Sequence, residues 1–200
     1  MRLALVSRHG QSKLNVAGLV NGNPALDLGL SRVGVEQAAE LGFQLAAVAI
    51  DLCVTSEFLR AQETALVALA ERDVDQLVDA GLNDVKVGEL EGKTLADYRV
   101  WKRAHTRDDA FPGGESLNDA ARRYADAFER VLEREEPTIL VVCHEIPVRY
   151  AVNASTGSPE LDHPLHDVAN AAPYVFDAGG LRRAVDRMRE LAAAEHVERT

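Results

Sequence analysis

Residues 3–12, LALVSRHGQS, place a short apolar segment directly before an arginine, a histidine and a glycine. The apolar residues 3–7 are typical of a buried strand. Arg8 carries a permanent charge that is expensive to bury alone, and Gly10 lets the backbone turn sharply or approach a ligand closely. An anion at the end of this strand would pair with Arg8 and His9. The alternative is a surface turn with both side chains in solvent.

Two further strand-like segments also end in polar residues that could bind an anion. Ser56 and Arg60 follow residues 50–55, and His144 follows the apolar segment TILVVC at 138–143. Further strands are predicted at residues 76–79 and 173–177. Helical periodicity or helix-start signals fall between the strands, at residues 31–49 and 57–71, after Thr94, after Ser116, and from Leu181 onwards.

Strands that alternate with helices predict an α/β fold, a three-layer α/β/α sandwich with a mostly parallel sheet. The length of 200 residues suits a single domain over residues 1–200. In such sheets, ligands bind beyond the carboxyl ends of the strands. Three predicted strands deliver two histidines and two arginines to those ends, which a set of unrelated surface turns explains poorly.

The composition argues against nucleic acid or an anionic membrane as a partner. Acidic residues outnumber basic ones, 32 to 22, for a formal net charge of −10. No apolar run is long enough to span a membrane, and the first residues lack the pattern of a signal peptide. Cys53 and Cys143 lie in strand-like segments and imply no disulfide framework. A cytoplasmic location is expected.

An ordered set of motifs over residues 2–156 resembles the histidine phosphatase superfamily, also called the phosphoglycerate mutase-like family. The matching residues of the first half are Arg8, His9, Gly10, Asn15, Asp27, Leu30, Ser31, Gly34, Gln37 and Ala38. Those of the second half are Thr55, Ser56, Arg60, Ala61, Thr64, Leu82, Asp84, Gly88, Glu91, Gly92, Pro112, Gly114, Glu115, Ser116 and His144. The resemblance implies a phosphoglycerate mutase-like fold.

The resemblance also implies the chemistry of the site. His9 would attack phosphorus and form a phosphohistidine, and Arg8 and Arg60 would hold the phosphoryl oxygens. A protonated His144 would stabilise the same oxygens, with one further hydrogen bond from Asn15. Asp84 would protonate the leaving alkoxide, which requires a pKa above its ordinary value of about 3.9. No metal and no cofactor are expected, because the arginines and His144 supply positive charge.

Two positions depart from the family pattern. Glu145 stands where the family usually has a glycine after the second histidine, and Asp84 stands where many members have glutamate. The Glu145 carboxylate could hold His144 in its charged state, or it could point into solvent. Aspartate is one methylene shorter than glutamate, which reduces its reach toward a leaving group.

Three functions are compatible with this sequence. A phosphatase acting on small phosphorylated metabolites is favoured, because only about twenty residues separate Gly92 from Phe111, and the charged segment 187–200 adds little cover. A phosphoglycerate mutase would use the same phosphohistidine but would need to exclude water. A phosphate-binding relative without activity is the third alternative. A homodimer is possible.

Other polar residues receive weaker interpretations. Lys102, Arg103 and Arg107 are either a solvated helix face or contacts to the distal part of the substrate. His163 and His166 have a spacing that could chelate a metal, although loop histidines of this kind are usually solvated. Asn170 and Ala171 are expected to form a turn.

Overall fold

The computed structural model describes residues 1–194, and these contain one five-stranded sheet. The strands are β1 (Leu3–Arg8), β2 (Leu52–Thr55), β3 (Asp75–Val78), β4 (Thr138–Cys143) and β5 (Pro173–Asp177), in the order β3-β2-β4-β1-β5. β1 pairs in parallel with β4, β4 with β2 and β2 with β3, whereas the edge strand β5 is antiparallel to β1. The predicted α/β fold with a mostly parallel sheet is confirmed.

Helices cover both faces of the sheet. They are α1 (Lys13–Ala17), α2 (Arg32–Gln44), α3 (Leu59–Ala68), α4 (Leu95–Ala104), α5 (Leu117–Leu132), α6 (Glu145–Ser155) and α7 (Ala178–Ala193). Side chains alternate across each strand. Leu5, Cys53 and Leu140 therefore pack against α2 and α3, while the neighbouring Val6 and Ile139 pack against α5, α6 and α7. The three-layer sandwich follows from this alternation.

The sequence predicts the strands more closely than it predicts the helices. The predicted ranges 138–143 and 173–177 coincide with β4 and β5, and helix starts after Thr94 and Ser116 coincide with α4 and α5. α1 and α6 were not predicted. Pro147 in α6 suggests an interruption, but it lies in the first turn, where an intrahelical N–H partner is absent anyway.

Two cysteines lie on opposite faces of the sheet. Cys53 packs with the α2 and α3 layer and Cys143 with the other layer, and both are free thiols. Burial raises the pKa of the Cys53 thiol to about 12 and raises that of Cys143 as well. The fold does not bring the two thiols together, and both behave as buried apolar groups.

Within residues 1–194, no helix is long and apolar enough to cross a membrane. Part of the charged segment 187–200 belongs to α7, and residues 195–200 lie outside the described part of the chain.

Candidate active site

The carboxyl ends of β2, β4 and β1 are adjacent in the sheet and bring the predicted residues together. His9 follows β1, Ser56 follows β2, and His144 follows β4, where it is the N-cap of α6. Arg60 lies in the first turn of α3. Parallel pairing of the central strands therefore converts three separate motifs into one cluster.

His9 is buried and neutral, and one of its ring nitrogens is available for chemistry. It is 2% exposed, and its Nδ1 donates to the carbonyl of Gly10 at 2.6 Å. Nε2 therefore holds the lone pair and accepts from Arg60 Nε at 3.0 Å. Burial, followed by the charges of Arg60 and Arg8, lowers the pKa of His9 well below its ordinary value. The lone pair is thus present at neutral pH.

The Arg60 guanidinium is the centre of the cluster. Its Nη1 donates to Asn21 Oδ1 at 2.5 Å and lies 3.4 Å from the buried carboxylate of Asp27. Its Nη2 donates to Asp84 Oδ2 at 3.2 Å, and its Cζ lies 4.1 Å from the centroid of the Phe58 ring. Carboxylates and an aromatic face compensate for the burial of this charge.

His144 is fully buried between Ser56, Arg60 and Phe58. Its Nδ1 lies 3.2 Å from Arg60 Nη2, so Nδ1 accepts and Nε2 donates to Ser56 Oγ at 2.9 Å. Burial, and then the Arg60 charge, lower the pKa of His144 well below its ordinary value. This direction favours a neutral His144 in the free protein, and the protonated form expected from the sequence stays a prediction for the substrate complex.

Asp84 lies over the cluster at the edge of the cleft. Its Oδ2 is 3.5 Å from His144 Nδ1, and its Oδ1 accepts from the Val85 amide at 3.0 Å. About a quarter of the side chain, 26%, is exposed. Burial of the carboxyl raises its pKa, the Arg60 charge opposes this shift, and the Glu145 charge adds to it. The direction is the one that a proton donor requires.

The Arg8 guanidinium forms polar contacts through Nη1 but not through Nε. Its Nη1 donates to the Val168 carbonyl at 2.8 Å and forms an ion pair with Glu145 at 2.9 Å. Its Nε is buried without a hydrogen-bond partner in the described chain. An oxyanion that reached Nε would supply the hydrogen bond that this buried donor lacks. Glu145 is partly exposed, and its ion pairs among the described residues are with Arg8 and, at 3.3 Å, with Arg149 rather than with His144.

Asn15 lies on α1 at the rim of the site. Its amide and side-chain oxygen form a capping box with Ser12, at 3.0 Å in both directions. The side-chain Nδ2 has no protein acceptor among residues 1–194, so it remains free to donate to a ligand.

A cleft of about 310 Å³ that continues under α4 is lined by Arg8, His9, Asn15, Arg60, Asp84 and Glu145, but not by the fully buried His144. Tyr98, Arg99 and Lys102 of α4 form the wall opposite α6. Lys102 therefore faces the cleft, as one interpretation of the sequence held. Arg103 is exposed and does not line the cleft. Arg107 lies outside the lining, where it pairs with Asp162 and donates to Asn118 Oδ1 at 3.0 Å.

Two asparagines support the site in ways that the sequence analysis missed. Asn21 links Arg60 to the Glu91 carboxylate, to which its Nδ2 donates at 2.7 Å. The Asn21–Gly22–Asn23 turn before Pro24 was the available signal. Asn170 donates to the backbone carbonyl of His9 at 2.7 Å. The expected turn at residues 170–171 thus also holds His9, and Ala171 adopts a strained positive φ of 50° there.

His163 and His166 stack with ring centroids 5.4 Å apart on an exposed loop. Neither belongs to a group of three or more metal-ligating side chains, and residues 1–194 contain no such group. The two histidines thus form a stacked exposed pair, of which His166 also lines the cleft.

Comparisons with known proteins agree with this site. The sequence profile of the histidine phosphatase superfamily (branch 1) matches residues 4–191. A 2,3-bisphosphoglycerate-dependent phosphoglycerate mutase of Methylobacterium sp. is 32% identical over 194 residues, which cover 88% of this chain and 90% of that protein. The protein of the same name in Beijerinckia indica is 36% identical over 191 residues, covering 88% and 91%.

Solved structures of phosphatases have the same fold. The α-ribazole phosphatase of Shigella flexneri has a TM-score of 0.76 at 27% identity, covering 88% of this chain and 90% of that one. A mycobacterial glucosyl-3-phosphoglycerate phosphatase has a TM-score of 0.73 at 27% identity, covering 88% and 92%.

The relatives named as mutases are matched over about nine-tenths of their length, and their name keeps mutase activity as the alternative. The family match and the phosphatase structures confirm the prediction of an enzyme of the histidine phosphatase type. This chain belongs to branch 1 of the histidine phosphatase superfamily.

Proposed function

We propose that the protein hydrolyses small phosphate monoesters through a phosphohistidine at His9. The observation that carries the proposal is the position of His9 Nε2, 3.0 Å from Arg60 Nε, beneath a partly exposed Asp84. A neutral nucleophile, a cationic clamp and an acid with a raised pKa are the three groups that this reaction needs. The phosphatases among the structural neighbours support hydrolysis.

Arg8 and Arg60 bind the phosphoryl group in this proposal. The unpartnered Nε of Arg8 and the Nε of Arg60 turn toward phosphoryl oxygens, and Asn15 Nδ2 donates a further hydrogen bond. His144 is neutral before the substrate arrives. A phosphoryl dianion beside it favours the protonated form, so His144 then donates to an oxygen as well.

The reaction proceeds in two displacements. The Nε2 lone pair of His9 bonds to phosphorus while the ester P–O bond breaks, and the Asp84 proton passes to the leaving oxygen to give an alcohol. A water molecule then attacks the phosphohistidine, and the Asp84 carboxylate takes its proton. The P–N bond breaks, which releases inorganic phosphate and restores neutral His9.

Hydrolysis is favoured over mutase activity because water can reach the acid. About a quarter of the Asp84 side chain is exposed, and the cover over it is the single ten-residue helix α4. Because the cover is this small, water should attack the phosphohistidine before a second metabolite binds. The relatives named as mutases make isomerisation the alternative that an experiment must address.

The test measures two rates on one preparation. Phosphate release from a panel of monoesters is compared with interconversion of 2- and 3-phosphoglycerate, each with and without 2,3-bisphosphoglycerate. We expect phosphate release that does not depend on the bisphosphate and negligible interconversion. Isomerisation that depends on the bisphosphate and is much faster than phosphate release would instead identify a mutase.

A further inference from the structure

Glu145 places a carboxylate inside the cleft, next to the groups that contact phosphate in the proposed function. It is the first residue of α6, and its side chain is 35% exposed. One oxygen lies 2.9 Å from Arg8 Nη1 and the other 3.3 Å from Arg149 Nη1. Two arginines thus fix the carboxylate in place while part of it remains open to a ligand.

The arginines closest to the reacting centre are already paired with carboxylates. Arg8 and Arg60 supply two positive charges, and Glu145 and Asp27 supply two negative ones within ion-pair distance. Arg149, which also lines the cleft, is shared between Glu145 and Asp162, with 3.1 Å to the latter. An anionic group next to the ester therefore faces Glu145, whereas the cations Arg99 and Lys102 lie on α4 in the wall of the cleft.

The effect of Glu145 on Asp84 supports its proximity to the leaving group. The Glu145 charge raises the pKa of the Asp84 carboxyl, as expected for two carboxylates that face one cleft. Asp84 donates its proton to the leaving oxygen in the proposed reaction. An alcohol bonded to that oxygen therefore lies within the field of Glu145.

We infer that Glu145 determines substrate class, because its carboxylate beside Arg8 repels monoesters that carry an anionic group next to the ester. The favoured substrates are monoesters of alcohols that are uncharged near the ester oxygen. Val20, Val85 and Val87 add apolar surface to the cleft lining, which suits such an alcohol. This inference rests on the proposed function and narrows it.

The test compares two substrates of similar size, glycerol 3-phosphate and 3-phosphoglycerate, which differ by a carboxylate. The ratio of their kcat/KM values is measured for the wild type and for Glu145→Gln, which keeps the shape but removes the charge. We expect the wild type to prefer glycerol 3-phosphate and the variant to lose about tenfold of that preference. Glu145→Gln also removes the ion pair to Arg8, but an effect of this loss that is common to both substrates cancels in the ratio.

Asp167→Asn is the matched control. Asp167 also lines the cleft and is exposed, but it forms no ion pair within residues 1–194. Its neutralisation removes one negative charge from the same cleft, so we expect the ratio to change by about twofold or less. An unchanged ratio in Glu145→Gln, or an equal change in both variants, would overturn the inference.

Binding measurements separate this inference from the proposed function. The dissociation constants of both compounds are measured by calorimetry in His9→Ala, with and without Glu145→Gln. A shift of about tenfold in relative affinity supports the role of Glu145 even if no monoester is hydrolysed, and no shift contradicts it. Absence of phosphate release from every monoester by the wild type would overturn the proposed function alone.

Discussion

Arg60 is the side chain on which the rest of the site depends. It touches His9, Asn21, Asp84 and His144, and its charge contributes to the lowered pKa values of both histidines. A guanidinium has five donors in a fixed plane, so a single residue can orient several partners at once. Lysine has a single ammonium group and could not hold all of them in the same way.

Asp84→Asn tests the proposed acid. A phenolate leaves readily without a proton, whereas an alkoxide does not, so the acid matters most for alkyl esters. We expect kcat/KM to fall about 10²–10⁴-fold for an alkyl phosphate and less than about tenfold for nitrophenyl phosphate. The control is Asp73→Asn, an exposed carboxylate between α3 and β3 that does not line the cleft, which should alter neither rate. Equal losses on both substrates would assign Asp84 to binding instead.

The pH dependence of kcat/KM follows from the protonation states of His9 and Asp84 in the free enzyme, because this parameter reports the free enzyme. His9 must be neutral, and its pKa is lowered, so activity toward an aryl phosphate should persist below pH 6.5. Asp84 must be protonated, and its pKa is raised, so activity toward an alkyl phosphate should fall as the pH rises through that value.

Both profiles are corrected for ionisation of the substrate itself. In Asp84→Asn, the fall in kcat/KM for the alkyl phosphate with rising pH should disappear. If the variant still shows this fall, a group other than Asp84 is responsible for it.

At the residue scale, the sequence predicts which side chains meet but not how they are charged or supported. Arg8 ends β1, His9 and His144 follow strands directly, and Arg60 lies in the first turn of α3, so their convergence depends on topology alone. The neutral state of His144 depends on burial beside Arg60, which no spacing reveals. Asn21 is likewise identified only when Arg60 is seen to contact it.

At the element scale, local capping determines several helix starts. Ser116 and Asp119 form a complete capping box at α5, with the Asp119 amide 3.0 Å from Ser116 Oγ. Thr94 and Asp97 form the same box at α4. Their sequence signals are local, which is why these starts were predictable. The N-cap of α6, His144, makes no side-chain capping bond, so the position of this helix is set by β4 and by packing.

The two capping boxes should differ in their effect on stability. α5 buries nine residues in the core, whereas α4 buries none of its own. Ser116→Ala should lower the free energy of unfolding by about 1 kcal/mol. Thr94→Ala should lower the free energy of unfolding by less than half as much, because α4 is expected to unfold locally while the rest of the fold stays intact. Chemical denaturation monitored by circular dichroism measures both, and equal losses would show that α4 is integral to global stability.

At the scale of the whole molecule, an acidic protein concentrates cations at one place. The net charge is −10, yet Arg8, Arg60, Arg99, Lys102 and Arg149 all line one cleft. The parallel order of β2, β4 and β1 creates this arrangement from distant segments of the chain. The possible homodimer, the single domain, the absence of nucleic-acid binding and the cytoplasmic location stay predictions.

The central claim is that His9 carries the phosphoryl group during turnover. The most direct measurement is mass spectrometry of the protein quenched in alkali while it hydrolyses nitrophenyl phosphate, on wild type and on His9→Ala. We predict one phosphoryl group on His9 in the wild type and none on the variant, which should fold normally and lose at least about 10³-fold in turnover. Wild-type turnover by a folded His9→Ala protein, or a phosphoryl group on a different residue, would contradict the account.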